Sequence, residues 1–389
     1  MSQKAPAPEI PTVAEVLKHP AFPTAIWQLE PDRKGSVPVA EGRGGPFNMS
    51  WEIHGVGAIK LVLIMGLAGL KSAWQRQTLY FGHERREEYS VLLIDNRGMG
   101  DSDKPLMRYS TSEMARDIAE VLAHPDIGWL PSFPLPTTPI PRTIHLVGIS
   151  LGGMIAQELA CLIPTALSTL SLICTAAAIE NTGSFAEHVA HRASLLLPKS
   201  VDRSVADAAR QLFSHAWLAA PDEGTHLPDP STTPRCLPPW NPDPNPQKAA
   251  TTQQSQPPPA PASYLHFPTN AHRFVAQEMH KRLDPARFTL RGFLLQLIAA
   301  GWHHKSREQL RAMADAVGRE RILVMHGTED GMISVPHGRK LIEYVEPAVG
   351  LIVEGMGHVP LMERTAWFNE LMEERCRVGE GLDGRKGRE

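Results

Sequence analysis

The stretch Gly148-Ile149-Ser150-Leu151-Gly152 follows the apolar run "TIHLVG" (143–148). A serine between two glycines at this spacing has two readings. It is a nucleophile raised on a very tight turn, or a serine in an ordinary turn, since Gly-x-Ser-x-Gly arises by chance in long chains. A serine hydroxyl is a poor nucleophile alone. It attacks an acyl carbonyl only beside a general base, and that base needs a group to orient it. The elements around Ser150 decide between the readings.

Short apolar runs recur along the chain: "IKLVLIMG" (59–66), "YSVLLIDNRG" (89–98), "TIHLVG" (143–148), "LSTLSLIC" (167–174), "RILVMHG" (321–327) and "GLIVEG" (350–355). Strands covered on both faces of a parallel sheet read this way. "FNMSWEIHG" (47–55) alternates instead and predicts a half-buried strand. Helical patterns lie between the runs at 72–82, 110–124, 151–163, 336–345 and 360–376. In the second of these Ser110 or Ser112 is placed to cap the helix. The alternation predicts an α/β fold with a parallel sheet. It puts Ser150 between a buried strand and a helix, where Gly148 and Gly152 let the chain turn sharply and Gly153 extends that freedom. This context is that of a nucleophile elbow.

Here the chain resembles the α/β-hydrolase superfamily, over about 49–180 and 285–375. The resemblance implies a mostly parallel central sheet flanked by helices, an inserted helical cap, and the chain order Ser, Asp, His for a catalytic triad. "MHGTEDGMISVP" (325–336) is similar to the family's acid loop and implies Asp330 as the acid, with Glu329 one residue early. "EGMGHVPLMER" (354–364) is similar to its histidine loop and implies His358 as the base. "LIMGLAGLKSAW" (63–74) resembles its oxyanion loop. The donors would then be the backbone N–H groups of Leu67 and Leu151. Met65 departs from the family, standing where many members have histidine, but the donors are backbone groups. "DNRGMGDSD" (95–103) resembles a family turn in which Asp95, Arg97, Gly98 and Gly100 are scaffold; the other reading has Arg97 gripping a substrate carboxylate. The resemblance implies neither metal nor organic cofactor. Ser150 sets the chain apart from members with an aspartate nucleophile.

Composition narrows the partners. Lys and Arg number 39 against 42 Asp and Glu, a net charge of −3, which gives no basic stripe for nucleic acid. The four cysteines are scattered, so a disulfide framework or structural zinc site is not expected. Cys161 and Cys174 read as small buried hydrophobes. His303 and His304 read as packing or pocket lining, and His145 and His326 as structural. The N-terminal residues lack the apolar core of a signal peptide, and the apolar runs are too short to cross a bilayer, so an intracellular soluble location is expected.

The expected organisation is a partly ordered Pro/Gly-rich leader (1–48), core (49–175), helical cap (176–318), core (319–376) and flexible tail (377–389). Residues 221–261 hold 13 prolines and predict an unfolded excursion within the cap. Apolar cap residues (Leu195 to Leu197, Phe213, Trp217, Phe293 to Leu295) suit either a moderately hydrophobic substrate or the cap's own core. The resulting expectation is a serine hydrolase of a small ester, lactone or thioester. The alternatives are a ligand receptor or scaffold on the same fold, an acyltransferase, or an interaction module built on the proline-rich segment. The sequence is silent on oligomeric state.

Overall fold

The computed structural model describes residues 9–180, 199–239 and 263–385. Eight strands form one sheet: β1 (Arg33–Val39), β2 (Phe47–His54), β3 (Ile59–Ile64), β4 (Tyr89–Ile94), β5 (Ile144–Ile149), β6 (Leu167–Ile173), β7 (Ile322–Gly327) and β8 (Val349–Val353). Their spatial order is β1-β2-β4-β3-β5-β6-β7-β8. β1 and β2 run antiparallel to their neighbours, and the pairings from β4 to β8 are all parallel. Each apolar run is one strand, and β4 to β7 are buried along their whole lengths. Two-sided burial is why those runs do not alternate.

Helices cover both faces. α1 (Thr111–Ala123) starts at Ser110, whose side chain accepts from the Glu113 N–H. α2 (Leu151–Leu162) leaves Ser150 and is buried on most sides. Between β6 and β7 lie α3 (Val201–Leu212), α4 (Asn270–Arg282), α5 (Leu290–Trp302) and α6 (Arg307–Val317). α7 (Val335–Val345) joins β7 to β8, and α8 (Thr365–Leu382) closes the chain.

The structure departs from the sequence reading in six places, one of them Cys161, expected to be buried but exposed on α2. Residues 33–39 are no loose leader. They form the edge strand β1, with Val37 and Val39 in the core. Only two apolar positions alternate there, with Pro38 between them, so the pattern is too short to read, and proline is tolerated because the strand lies at the edge. The helix expected over 72–82 is instead a 3₁₀ turn (Lys71–Trp74), a short α segment (Gln75–Gln77) and a π turn (Thr78–Glu84). The Thr78 hydroxyl donates back to Trp74 O at 3.0 Å there, a contact that competes with regular helix. The helical insertion ends before α6, because Leu310, Met313, Ala314 and Val317 are buried in the main core. The tail is ordered through Arg385: α8 buries Cys376 and Gly379, and Arg385 pairs with Glu380 and Asp383. Part of the proline-rich segment is also ordered. Asp222 is fully buried against Arg273, and Cys236 bridges to Leu29. Residues 240–262, and the apolar Leu195 to Leu197, lie outside the described residues.

The tightest packing surrounds the turn after β5. A Cβ added at Gly152 would lie 2.2 Å from Ile64 O, and one at Gly148 would lie 2.3 Å from Gly152 O. Both neighbours are backbone atoms that cannot swing aside. Gly152→Ala is therefore expected to cost at least ~3 kcal/mol. Thermal melting checks this, and a variant melting with the wild type would show that the β3–α2 contact is slack.

Candidate functional site

Parallel register gathers the candidate residues at one sheet edge. Ile64 is level with Gly148, Ile149 with Ile173, Ile173 with Met325, and Gly327 with Val353. The loops leaving these strands carry Leu67, Ser150, Cys174, Asp330 and His358 in adjoining positions. No side chain has to reach across the molecule.

Ser150 sits at φ 57°, ψ −124°, a conformation that costs a residue with a side chain about 1–3 kcal/mol. The strain is held from three sides. Ser150 N–H donates to Ile173 O at 2.9 Å, Thr175 Oγ1 donates to Ser150 O at 2.7 Å, and Gly66 lies against Ser150 so closely that a Cβ there would be 2.9 Å from the serine Cβ. Leu151 is the first residue of α2, so its N–H has no acceptor within the helix and points where an anion is favoured. Leu67 follows Gly66 on the facing loop. Its neighbour Ala68 is fixed by an N–H bond to Gln296 Oε1 at 3.0 Å.

Asp330 and His358 are in contact: His358 Nδ1 lies 2.6 Å from Asp330 Oδ2. Both are buried. The other oxygen, Oδ1, accepts from the N–H groups of Met332 and Ile333 at 2.9 and 2.8 Å. Burial alone would raise this carboxyl's pKa, but His358 and His326 outweigh it and hold it down at about 2. Glu329, the other acid of the loop, is exposed. Among the described residues Ser150 Oγ forms no hydrogen bond with His358, so the structure joins acid to histidine but leaves histidine and serine unlinked. Such contacts are often loose in enzymes without substrate.

Several supporting groups escaped the sequence reading. Glu363 accepts from Gly357 N–H at 2.6 Å through Oε2 and from Ser214 N–H at 2.8 Å through Oε1, so it ties the His358 loop to the insertion. The end of α3 reaches the same loops, with Leu212 O accepting from His358 N–H at 2.7 Å and Gln211 O from Gly331 N–H at 3.1 Å. Gln296 of α5 bonds Ala68 N–H and, through Nε2, Arg97 O at 2.9 Å. A buried glutamine within an apolar helix was the one available signal. His326 was read as structural; its Nε2 bonds Ile333 O at 2.7 Å and lies 3.2 Å from Asp330. His303 packs against Thr111 and Gln157, and burial pushes it down to about 3, so it stays neutral.

Arg97 faces inward. Its Nε and Nη2 bond both oxygens of Asp117 at 2.6 and 2.7 Å, with both side chains wholly buried, so it holds scaffold rather than a ligand. Arg97→Leu strands the Asp117 charge and is expected to destabilise the fold by about 3–5 kcal/mol, measurable by denaturant titration. Arg43 also reaches Asp117 at 3.1 Å and sets the lower end of that range. Asp95 binds Lys71 through N–H and Nζ at 2.8 and 2.7 Å, and Gly100 leaves it room. Phe213 stacks on Trp217 at 4.3 Å and meets Phe274 edge-on, within the apolar cluster that also holds Met65 and Met356, while Phe293 packs beside Leu67, Ala68 and Leu70.

The architecture is that of an α/β hydrolase. The Alpha/beta hydrolase family model matches residues 53–371, and the chain belongs to that family. It is 30% identical over 143 residues, 37% of this chain and 34% of the relative, to the dihydrolipoyllysine-residue acetyltransferase component of an acetoin cleaving system of Pseudomonas putida. It is 31% identical over 108 residues, 28% of this chain and 34% of the relative, to 3-oxoadipate enol-lactonase 2 of Acinetobacter baylyi. The chain thus spans about a third of the length of these curated relatives. A thermophilic esterase from Thermogutta terrifontis shares the fold with TM-score 0.59 and 16% identity, over 89% of this chain and 99% of the esterase. Among the described residues no helix is long and apolar enough to cross a membrane.

Proposed function

We propose that the chain is a serine hydrolase that cleaves a carboxylic ester or lactone of a small, moderately hydrophobic molecule through an acyl-enzyme on Ser150. The observation that carries this reading is the 2.6 Å contact between buried Asp330 and His358, on loops adjoining the strained turn of Ser150. His358 takes the Ser150 proton while Asp330 fixes its tautomer and stabilises the imidazolium. The alkoxide attacks the carbonyl, and the N–H groups of Leu67 and Leu151 hold the oxyanion. His358 returns the proton to the leaving alcohol, then activates the water that releases the acid. The helical insertion between β6 and β7 serves as the cap over this site. The names of the enol-lactonase and esterase relatives favour ester-type bonds.

A second reading, acyl transfer to an acceptor other than water, is favoured by the acetyltransferase name of the Pseudomonas relative. Labelling by a fluorophosphonate probe, beside turnover of p-nitrophenyl esters from acetate to decanoate, tests both. Labelling and turnover that depend on Ser150 are expected. New esters or thioesters formed when alcohols or thiols are added would mark the transferase. Folded protein with neither labelling nor turnover would turn the assignment to a ligand receptor or scaffold.

A further inference from the structure

Cys174 leaves β6 between the strand that carries Ser150 and the strand that carries Asp330. Its Sγ, a carboxylate oxygen of Asp330 and a ring nitrogen of His358 all lie within 4.8 Å of one another, and all three residues are buried. Zinc bonds of about 2.0–2.3 Å place the ligands of a tetrahedral site roughly 3.3–3.8 Å apart. To admit the ion the Asp330–His358 pair, 2.6 Å apart, opens by about an ångström and the Cys174 sulfur closes by about as much. We propose that Cys174, Asp330 and His358 form a binding site for a soft divalent cation such as zinc or cadmium, and that its occupation inhibits the hydrolase by capturing His358. The inhibitory part rests on the reading of His358 as the general base.

The donor set fits such an ion. One thiolate, one carboxylate and a neutral imidazole cancel a charge of +2, so the buried site carries no net charge, the condition under which burial is tolerable. Sulfur and imidazole select soft and borderline cations over magnesium or calcium. On binding, the thiol proton leaves to solvent as the metal–sulfur bond forms. His358 gives its Nδ1 lone pair to the metal, and the proton it carried there moves to Nε2. No electron changes hands. The Nε2 lone pair that would take the Ser150 proton is then occupied, and attack stops.

Cadmium titration followed by the ultraviolet thiolate-to-metal charge-transfer band tests the site without reference to activity. Cys161→Ser is the background, since Cys161 is exposed and Cys236 and Cys376 are buried elsewhere. A band saturating at a single equivalent is expected there, and its loss is expected on adding Cys174→Ala. Circular dichroism checks folding, and Cys174→Ser is the second variant if alanine leaves too large a void. No band, or a band that survives both replacements, overturns the site. In the second arm zinc inhibits ester turnover of the wild type and a chelator reverses it. The inhibition constant, referred to each variant's own metal-free rate, rises at least ~10-fold without Cys174. Turnover that zinc leaves untouched overturns the inhibition. A cadmium band on protein that turns over no ester supports the site and overturns the hydrolase reading alone.

Discussion

Ser150→Ala is expected to lower ester turnover by about 10⁴- to 10⁶-fold and to abolish fluorophosphonate labelling. The size follows from the division of labour at the site. On the proposed mechanism the serine supplies the bond that divides the reaction into two easier steps, and without it only the residual help of the two N–H donors remains. A companion variant separates chemistry from strain. Alanine keeps a Cβ at φ 57°, so Ser150→Ala inherits the backbone cost, whereas Ser150→Gly removes it. Ser150→Gly is expected to be equally inactive yet more stable than Ser150→Ala, by about 1 kcal/mol. Equal melting of the two variants would show that the turn is relaxed. Ester turnover surviving in either would remove Ser150 from the mechanism.

Asp330→Asn is expected to cost about 10⁴-fold in turnover with the fold intact, because the amide offers His358 a donor where the carboxylate accepts and favours the wrong tautomer. Its effect on acid stability is separate and has a definite sign. The folded pKa of Asp330 is about 2, against an ordinary value of 3.8. A group with a lowered folded pKa stabilises the protein above its unfolded pKa and loses that contribution as pH falls through the folded value. The loss therefore falls between about pH 4 and pH 2, and Asp330→Asn should show a shallower decline there. Thermal melts at pH 5, 4, 3 and 2 measure it. Parallel curves for the two proteins would mean that the His358 contact does not hold the carboxyl down.

The central sheet was legible because two-sided burial writes itself into sequence as unbroken apolar runs, and seven of the eight strands carry such runs or a clean alternation. The turn at Ser150 was legible because steric demand at Gly148 and Gly152 leaves only one residue type. Asp330 and His358 were named through the likeness of the loops after β7 and β8 to the acid and histidine loops of α/β hydrolases. What stayed hidden is contact between distant segments. Glu363 looks like any helix glutamate until its oxygens are found on Gly357 and Ser214. Gln296 looks like a polar break in α5 until it is found between Ala68 and Arg97. β1 was missed because an edge strand needs to bury only one face, and only at its last residues.

The carbonyls of Gln211 and Leu212 and the side chain of Gln296 bear on how molecules enter and leave. A hinged door over a site can swing only if it shares no bonds with the machinery beneath it. Here the same hydrogen bonds that seat α3 and α5 also fix the loops of Asp330, His358 and Leu67. On the hydrolase reading proposed above, opening by lifting these helices would disturb the loops of Asp330, His358 and Leu67 with each turnover. Traffic is therefore expected to pass through a fixed aperture widened by side-chain rotation, and the rate of product escape should follow the bulk of the leaving alcohol rather than the viscosity of the solvent.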